Sequence, residues 1–110
     1  MDMVIKQFEV YLVTLDPAKG SEIQMTRPCM VISPDEVNRH LNTVIVIPLT
    51  STIKNYPTRV SRIFDNKKGQ LAIDQMRAVD KMRLKKKVGS FNDHEFIKEV
   101  LTVLQDMFSC

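Results

Sequence analysis

Aromatic residues make up only 6% of the chain, which argues against a surface built for extensive stacking on nucleobases. Histidine and cysteine number two each. His40 and His94 have no metal-ligand spacing and no Cys or His partner, so a metal centre is not expected and both read as surface residues. Cys29 and Cys110 do not form the bridge framework of a small secreted domain, and both read as free thiols in a reducing cytoplasm. Cys29 lies in an apolar run, where a thiol's pKa rises, which makes it a poor nucleophile. No stretch has the length of a membrane span, and Met1–Lys6 lacks the features of an export signal. Repeats, linkers and low-complexity segments are missing too, so residues 1–110 read as a single domain.

What is present suits a packed domain. Hydrophobic residues make up 44% and charged residues 26%, enough for a core without disulfides or metal. A net charge of +3 permits a polyanionic partner without requiring one. Phe8, Val10 and Leu12 alternate with Glu9, Tyr11 and Val13 as in a strand. A turn follows over Asp16–Gly20, and its loop runs to Thr26. Further strands are expected at Pro28–Ser33, Thr43–Leu49, Thr58–Phe64, Gln70–Gln75 and Ala78–Val79. Pro48 suggests an edge or an early end to pairing. Pro34–His40 reads as a loop or helical turn, Thr50–Pro57 as a polar loop, and Asp65–Gly69 as a hairpin-like turn. Asn92 with Glu95 signals a helix start, and Phe96, Ile97, Val100, Leu101, Leu104, Met107 and Phe108 share one face of a helix from about Asp93 to Phe108. Five to seven short strands and one terminal helix predict a mainly β fold, a small antiparallel barrel capped by that helix.

Six motifs stand in order: Leu15-Asp16-Pro17, Gly20-Ser21-Glu22, Arg27-Pro28, Asn38-Arg39, Pro48-Leu49-Thr50-Ser51, and the run from Asp74 to Leu84 (DQMRAVDKMRL). Together they resemble the MazF/PemK/Kid toxins along nearly the whole chain. The resemblance implies an SH3-like barrel of the CcdB/PemK type and a homodimer. It implies the toxin of a type II toxin–antitoxin system: a metal-independent endoribonuclease, without cofactor, that cuts single-stranded RNA such as messenger RNA and leaves a cyclic phosphate and a 5′-hydroxyl. A cognate antitoxin would fill the substrate groove, and operator DNA would be bound only by the toxin–antitoxin complex. CcdB toxins share this fold and poison DNA gyrase without cutting RNA. A non-nucleolytic toxin and an RNA- or protein-binding barrel are therefore the alternatives, because fold alone does not fix function.

Cleavage through the substrate's own 2′-hydroxyl needs a base, stabilisation of the phosphate oxygens and an acid for the departing 5′ oxygen. Arg27 can match two phosphate oxygens at once, or be a solvated arginine; the R-P motif favours the first. Its high pKa suits it to electrostatic stabilisation rather than proton donation. Thr50, Ser51 and Thr52 cluster hydroxyls where a strand meets its loop, fit for phosphate or for turn chemistry, and Thr50 aligns with the family's active-site threonine. Glu22 is a candidate base, an orienter of Arg27, or a surface glutamate. Asp74 matches an aspartate given a proton-transfer role in the Kid branch, but the arginine two residues earlier there is Ala72 here, so that pair is incomplete. The candidate catalytic residues are Arg27, Thr50 and Glu22, with the base unassigned. The candidate substrate-binding residues are Ser51, Thr52, Lys54, Tyr56, Asp74, Gln75 and Arg77. Lys81, Arg83 and Lys85–Lys87 form a basic run that either lines a groove or is a solvated face, while Lys54, Arg59, Arg62, Lys67 and Lys68 add positive charge. Tyr56 and Phe64 are candidates for packing or for base platforms.

Overall fold

Burial of the central strands on both faces shapes this molecule. The computed structural model describes residues 4–15 and 26–109. The expected turn over Asp16–Gly20, Glu22 with its loop, and Cys110 lie outside the described residues. Seven strands are present: β1 (Glu9–Thr14), β2 (Thr26–Val31), β3 (Thr43–Thr50), β4 (Arg59–Phe64), β5 (Lys67–Ala72), β6 (Arg77–Asp80) and β7 (Leu84–Ser90). Two helices accompany them, α1 (Asp35–His40) and α2 (His94–Met107). Every ladder is antiparallel, in the order β4-β5-β3-β2-β1-β7, with β6 also on β3.

β1, β2 and β3 separate two apolar clusters. Val10, Met30, Ile47 and Leu49 join one with Val60, Leu71, Phe96 and Val100. Tyr11, Val13, Cys29, Val31, Val44 and Val46 join the other. Simple alternation in β1 therefore understates its burial: Tyr11 and Val13 are buried, and Leu12 is only half-buried. Each fully buried valine contributes about 1.5–3 kcal/mol of apolar transfer. The sheet curls into a small SH3-like barrel against which α2 packs. Its edge strands β4 and β7 meet through side chains, since a Cβ at Gly89 would lie 3.1 Å from the Phe64 ring.

Pro48 does not mark an edge. β3 is internal, pairing β2 on one side and, on the other, first β6 over Thr43–Val46 and then β5 over Leu49–Thr50. Ile47 and Pro48 fall between those two partners. Asp65 and Asn66, at φ 53° and 63°, confine the hairpin turn to two residues, a conformation that Asp and Asn tolerate, so β5 begins at Lys67. The strand expected to Gln75 stops at Ala72 and gives way to a 3-10 turn, Ile73–Gln75. Much of the basic run forms β7. The N-cap of α2 is Asp93 rather than Asn92, its carboxylate accepting from the Glu95 and Phe96 N–H groups.

Candidate active site

The β2–β3 register brings Arg27 and Thr50 together. The ladder ends with Cys29 opposite Pro48, and Arg27 and Thr50 each lie two residues beyond that pair at the same end of the two strands. Both line a cleft of about 390 Å³ with Thr52, Lys54, Arg59, Gln75 and Arg77. Six of the ten expected site residues thus share one cavity. Ser51 lines the neighbouring cleft, and Glu22 lies outside the described residues. Asp74 and Tyr56 reach the site through Arg59.

A local irregularity delivers Gln75 and Asp74. Between Leu49↔Leu71 and Val46↔Arg77, β3 advances three residues while the opposing chain advances six. The three extra residues make up the 3-10 turn, which moves Asp74 and Gln75 out of the ladder toward the cleft rim.

Arg59 organises this corner. Its Nε donates to Asp74 Oδ1 at 2.9 Å, its guanidinium lies 5.3 Å from the Tyr56 ring centroid, and its side chain is only 5% exposed. Thr58 donates its hydroxyl to the same Asp74 oxygen. The Arg59 hydrogen bond holds the Asp74 carboxyl below the usual carboxylate range, helped by Thr58 and opposed by partial burial. Asp74 is therefore an ionised acceptor near neutrality, unsuited to donating a proton.

The loop after β3 is held from two sides. Thr50 Oγ1 accepts from the Thr52 N–H at 3.1 Å, leaving its own hydrogen for donation. Gln70, buried in β5, accepts from the Lys54 N–H and donates to the Lys54 carbonyl, as a neighbouring strand would. Burial pushes the Cys29 thiol up to about 12, against the pull of Arg27 and Arg77, as expected for an inert thiol. Among the described residues no group of three His, Cys, Asp or Glu could hold a metal ion.

The chain matches the model of the PemK-like, MazF-like toxins of type II toxin–antitoxin systems over residues 6–108. The chain belongs to this family. It is 35% identical to Endoribonuclease MazF of Staphylococcus saprophyticus over 103 residues, 88% of this chain and 85% of that one. Among solved structures it superposes on MazE-MazF (Form-II) of Deinococcus radiodurans with a TM-score of 0.82 at 24% identity, covering 96% of both chains. It also superposes on a mycobacterial endoribonuclease in complex with its cognate antitoxin, with a TM-score of 0.75 at 23% identity, covering 93% of this chain and 92% of that one. These likenesses support the SH3-like barrel with its C-terminal helix.

Several PemK/MazF-pattern residues serve the fold. Asn38 is buried, accepting from the Ser33 hydroxyl and donating to the Ser33 and Ile5 carbonyls. Asp80 caps the turn before β7, Lys81 donates to the Asn38 carbonyl, and Arg83 donates to the carbonyls of Thr14 and Leu15. Lys87 pairs with Glu9 at 2.6 Å. None of Lys81, Arg83 or Lys85–Lys87 lines the two clefts that share Arg27, so the basic run is not their wall. The arginine missing at position 72 has a counterpart directly across the ladder: Arg59 pairs in register with Ala72. In the sequence Arg59 is one more positive charge, and only strand pairing shows its proximity to Asp74.

Proposed function

We infer that this MazF-type endoribonuclease toxin cuts single-stranded RNA, messenger RNA foremost, by attack of the substrate's own 2′-hydroxyl, without a metal ion. The observation that carries the reading is the meeting of Arg27 and Thr50 in one cleft with Lys54, Arg59 and Arg77. A phosphate seated there meets a guanidinium that spans two of its oxygens and a hydroxyl that donates to one, both favouring the charge that builds as the 2′ oxygen attacks. The new bond joins the 2′ oxygen to phosphorus and the bond to the 5′ oxygen breaks, leaving a cyclic phosphate and, as the departing oxygen takes a proton from solvent water, a 5′-hydroxyl. Glu22 is the candidate carboxylate for taking the 2′ proton, while Asp74, held ionised by Arg59, positions that arginine. Ser51, Thr52, Lys54, Gln75 and Arg77 hold the flanking backbone, and Tyr56, backed by Arg59, presents a ring face to a base.

The same reading makes the chain a cytoplasmic homodimer that meets no membrane. Its cleft accepts an acidic segment of a cognate antitoxin, since a disordered acidic peptide can mimic a phosphate backbone. Operator DNA is bound only by that complex. The test is a long single-stranded RNA incubated with purified chain in excess EDTA. Discrete fragments should form, and a 2′-deoxy sugar on the 5′ side of a mapped cut should abolish that cut. Cleavage that needs added magnesium, or that ignores the deoxy substitution, would overturn the mechanism.

A further inference from the structure

A second cleft, of about 520 Å³, shares Arg27, Thr50 and Thr52 with the first, so those residues stand as a wall between the two. The β4–β5 hairpin builds its far side. Arg62 pairs with Gly69 and Phe64 with Lys67, which puts all four residues on one face of the hairpin. A Cβ at Gly69 would lie 2.8 Å from the Thr50 carbonyl oxygen, so only glycine lets this face close up against the end of β3. Arg62 is fixed as a wall by its 2.9 Å pair with Asp93 and by lying 4.8 Å from the Phe96 ring centroid. Lys67 and Lys68 are exposed and form no ion pair among the described residues. The floor is apolar, from Leu12, Pro28, Leu49, Phe64 and Val88, and Asp65 is the one acid in the lining.

We propose that this second cleft is a nucleotide subsite for the same RNA strand, lying across the scissile phosphate from the first cleft, with Lys67 and Lys68 on the RNA backbone. The inference rests on the endoribonuclease reading above. An RNA chain with one phosphate on the Arg27–Thr50 wall continues in both directions, and basic side chains line the space on each side of that wall, Lys54 on one and Lys67 and Lys68 on the other. A cationic rim over an apolar floor fits a nucleotide, phosphate to the rim and base to the floor. The volume lies within the range of about 300–1,000 Å³ usual for small-ligand sites.

The experiment maps one cut in a long single-stranded RNA, then compares oligonucleotides trimmed from either side of it. The proteins are the wild type, Lys67→Ala/Lys68→Ala, and Lys6→Ala/Lys98→Ala, which removes equal charge at exposed residues that line neither cleft. On the untrimmed oligonucleotide the hairpin variant should show KM raised about tenfold and a salt dependence of log KM shallower by about one, with kcat kept. Trimming one side should erase its difference from wild type, and Lys67→Arg/Lys68→Arg should restore binding. An unchanged KM and salt slope, an equal effect from the control variant, or a difference that survives trimming from both sides would overturn the subsite. So would a hairpin variant that changes only the sedimentation of the free chain, which would assign the cleft to protein contacts. If the wild type cuts no RNA, the endoribonuclease reading itself falls.

Discussion

A guanidinium at position 27 can do two things that a lysine there could not. It can bridge two oxygens of one phosphate in a fixed plane, and it offers its N–H donors in a rigid fork. Arg27 is half-buried near the start of β2 and belongs to neither apolar cluster, so its loss should be felt in chemistry rather than folding. Arg27→Ala should cut RNA about 10²–10³-fold more slowly, about 2.7–4 kcal/mol of lost transition-state stabilisation, with an unchanged circular dichroism spectrum. Thr50→Ala should also be impaired, and near-wild-type cleavage by folded Arg27→Ala would remove Arg27 from the site. Glu9 is the opposite kind of residue, a carboxylate working for the fold. Burial pushes its pKa up, but hydrogen bonds from Lys87, the Lys6 N–H and Tyr11, with the Lys87 charge, bring it below its ordinary value of 4.5. A depressed carboxyl pKa adds stability that is complete above the unfolded value and is lost as pH falls through the folded one. Tyr11 runs the other way: burial, then its hydrogen bond to Glu9, raises it from 10.0 to about 12, so its contribution is complete below 10.0 and is lost as pH rises through about 12. The melting temperature should therefore fall below about pH 4.5 and above about pH 10, with Glu9→Gln flattening the acid limb and Tyr11→Phe the alkaline one. An acid limb as steep in Glu9→Gln as in wild type would shift that role to Asp74 and Asp93, the other described carboxyls lowered by an arginine.

At the level of elements, the site depends on how closely β5 approaches the end of β3. Gly69 makes that approach possible, since an added Cβ would lie 2.8 Å from backbone that cannot swing aside. Gly69→Ala should push Thr50 and its loop outward, lowering cleavage at least tenfold at a stability cost of about 1–3 kcal/mol. The check is kcat on a fixed substrate beside a thermal melt; full activity in the variant would show that the loop tolerates the shift. The sequence marks most of these elements but not their contacts. TVIVIPL reads as a core strand because β-branched residues crowd it, and α2 reads from its apolar face. Arg27, Thr50, Gln75 and Arg77 are legible through their motifs, Thr52 through its hydroxyl cluster and Lys54 as a basic residue, and the six converge in one cleft. Arg59 and Gln70 were not legible as site residues: one acts through a cross-strand neighbour, the other through a buried amide that imitates a strand. Ladder register creates both relations, and it depends on the three-residue insertion at Ile73–Gln75, which no local propensity announces. The basic run misled for a related reason, since Lys81, Arg83 and Lys87 spend their charge on carbonyls and a carboxylate within the fold.

At the scale of the whole molecule, a net charge of only +3 coexists with a cleft lined by Arg27, Lys54, Arg59 and Arg77. Local field, rather than total charge, then draws a polyanion, and that attraction weakens with salt. Two clefts that meet at the Arg27–Thr50 wall hold only the nucleotides beside the scissile phosphate, and a longer stretch of RNA needs more surface than one barrel of 110 residues offers. Helix α2 also leaves part of its apolar face uncovered: Leu101 is 41% exposed, and Phe108, which follows the helix, is 69% exposed, while Phe96 and Val100 enter the core. Exposed apolar side chains beside a packed helix face suit a symmetric contact, in which the same patch serves both copies. The isolated chain should sediment as a dimer at micromolar concentration, and Leu101→Ser/Phe108→Ser should shift it toward monomer with the barrel still folded. An acidic antitoxin segment and RNA should compete for the dimer's cleft, each binding less tightly as salt rises. A wild-type monomer at that concentration would rule out the symmetric assembly. RNA held undisturbed beside saturating antitoxin segment would show that the two do not share the basic cleft, and that inhibition works from another surface.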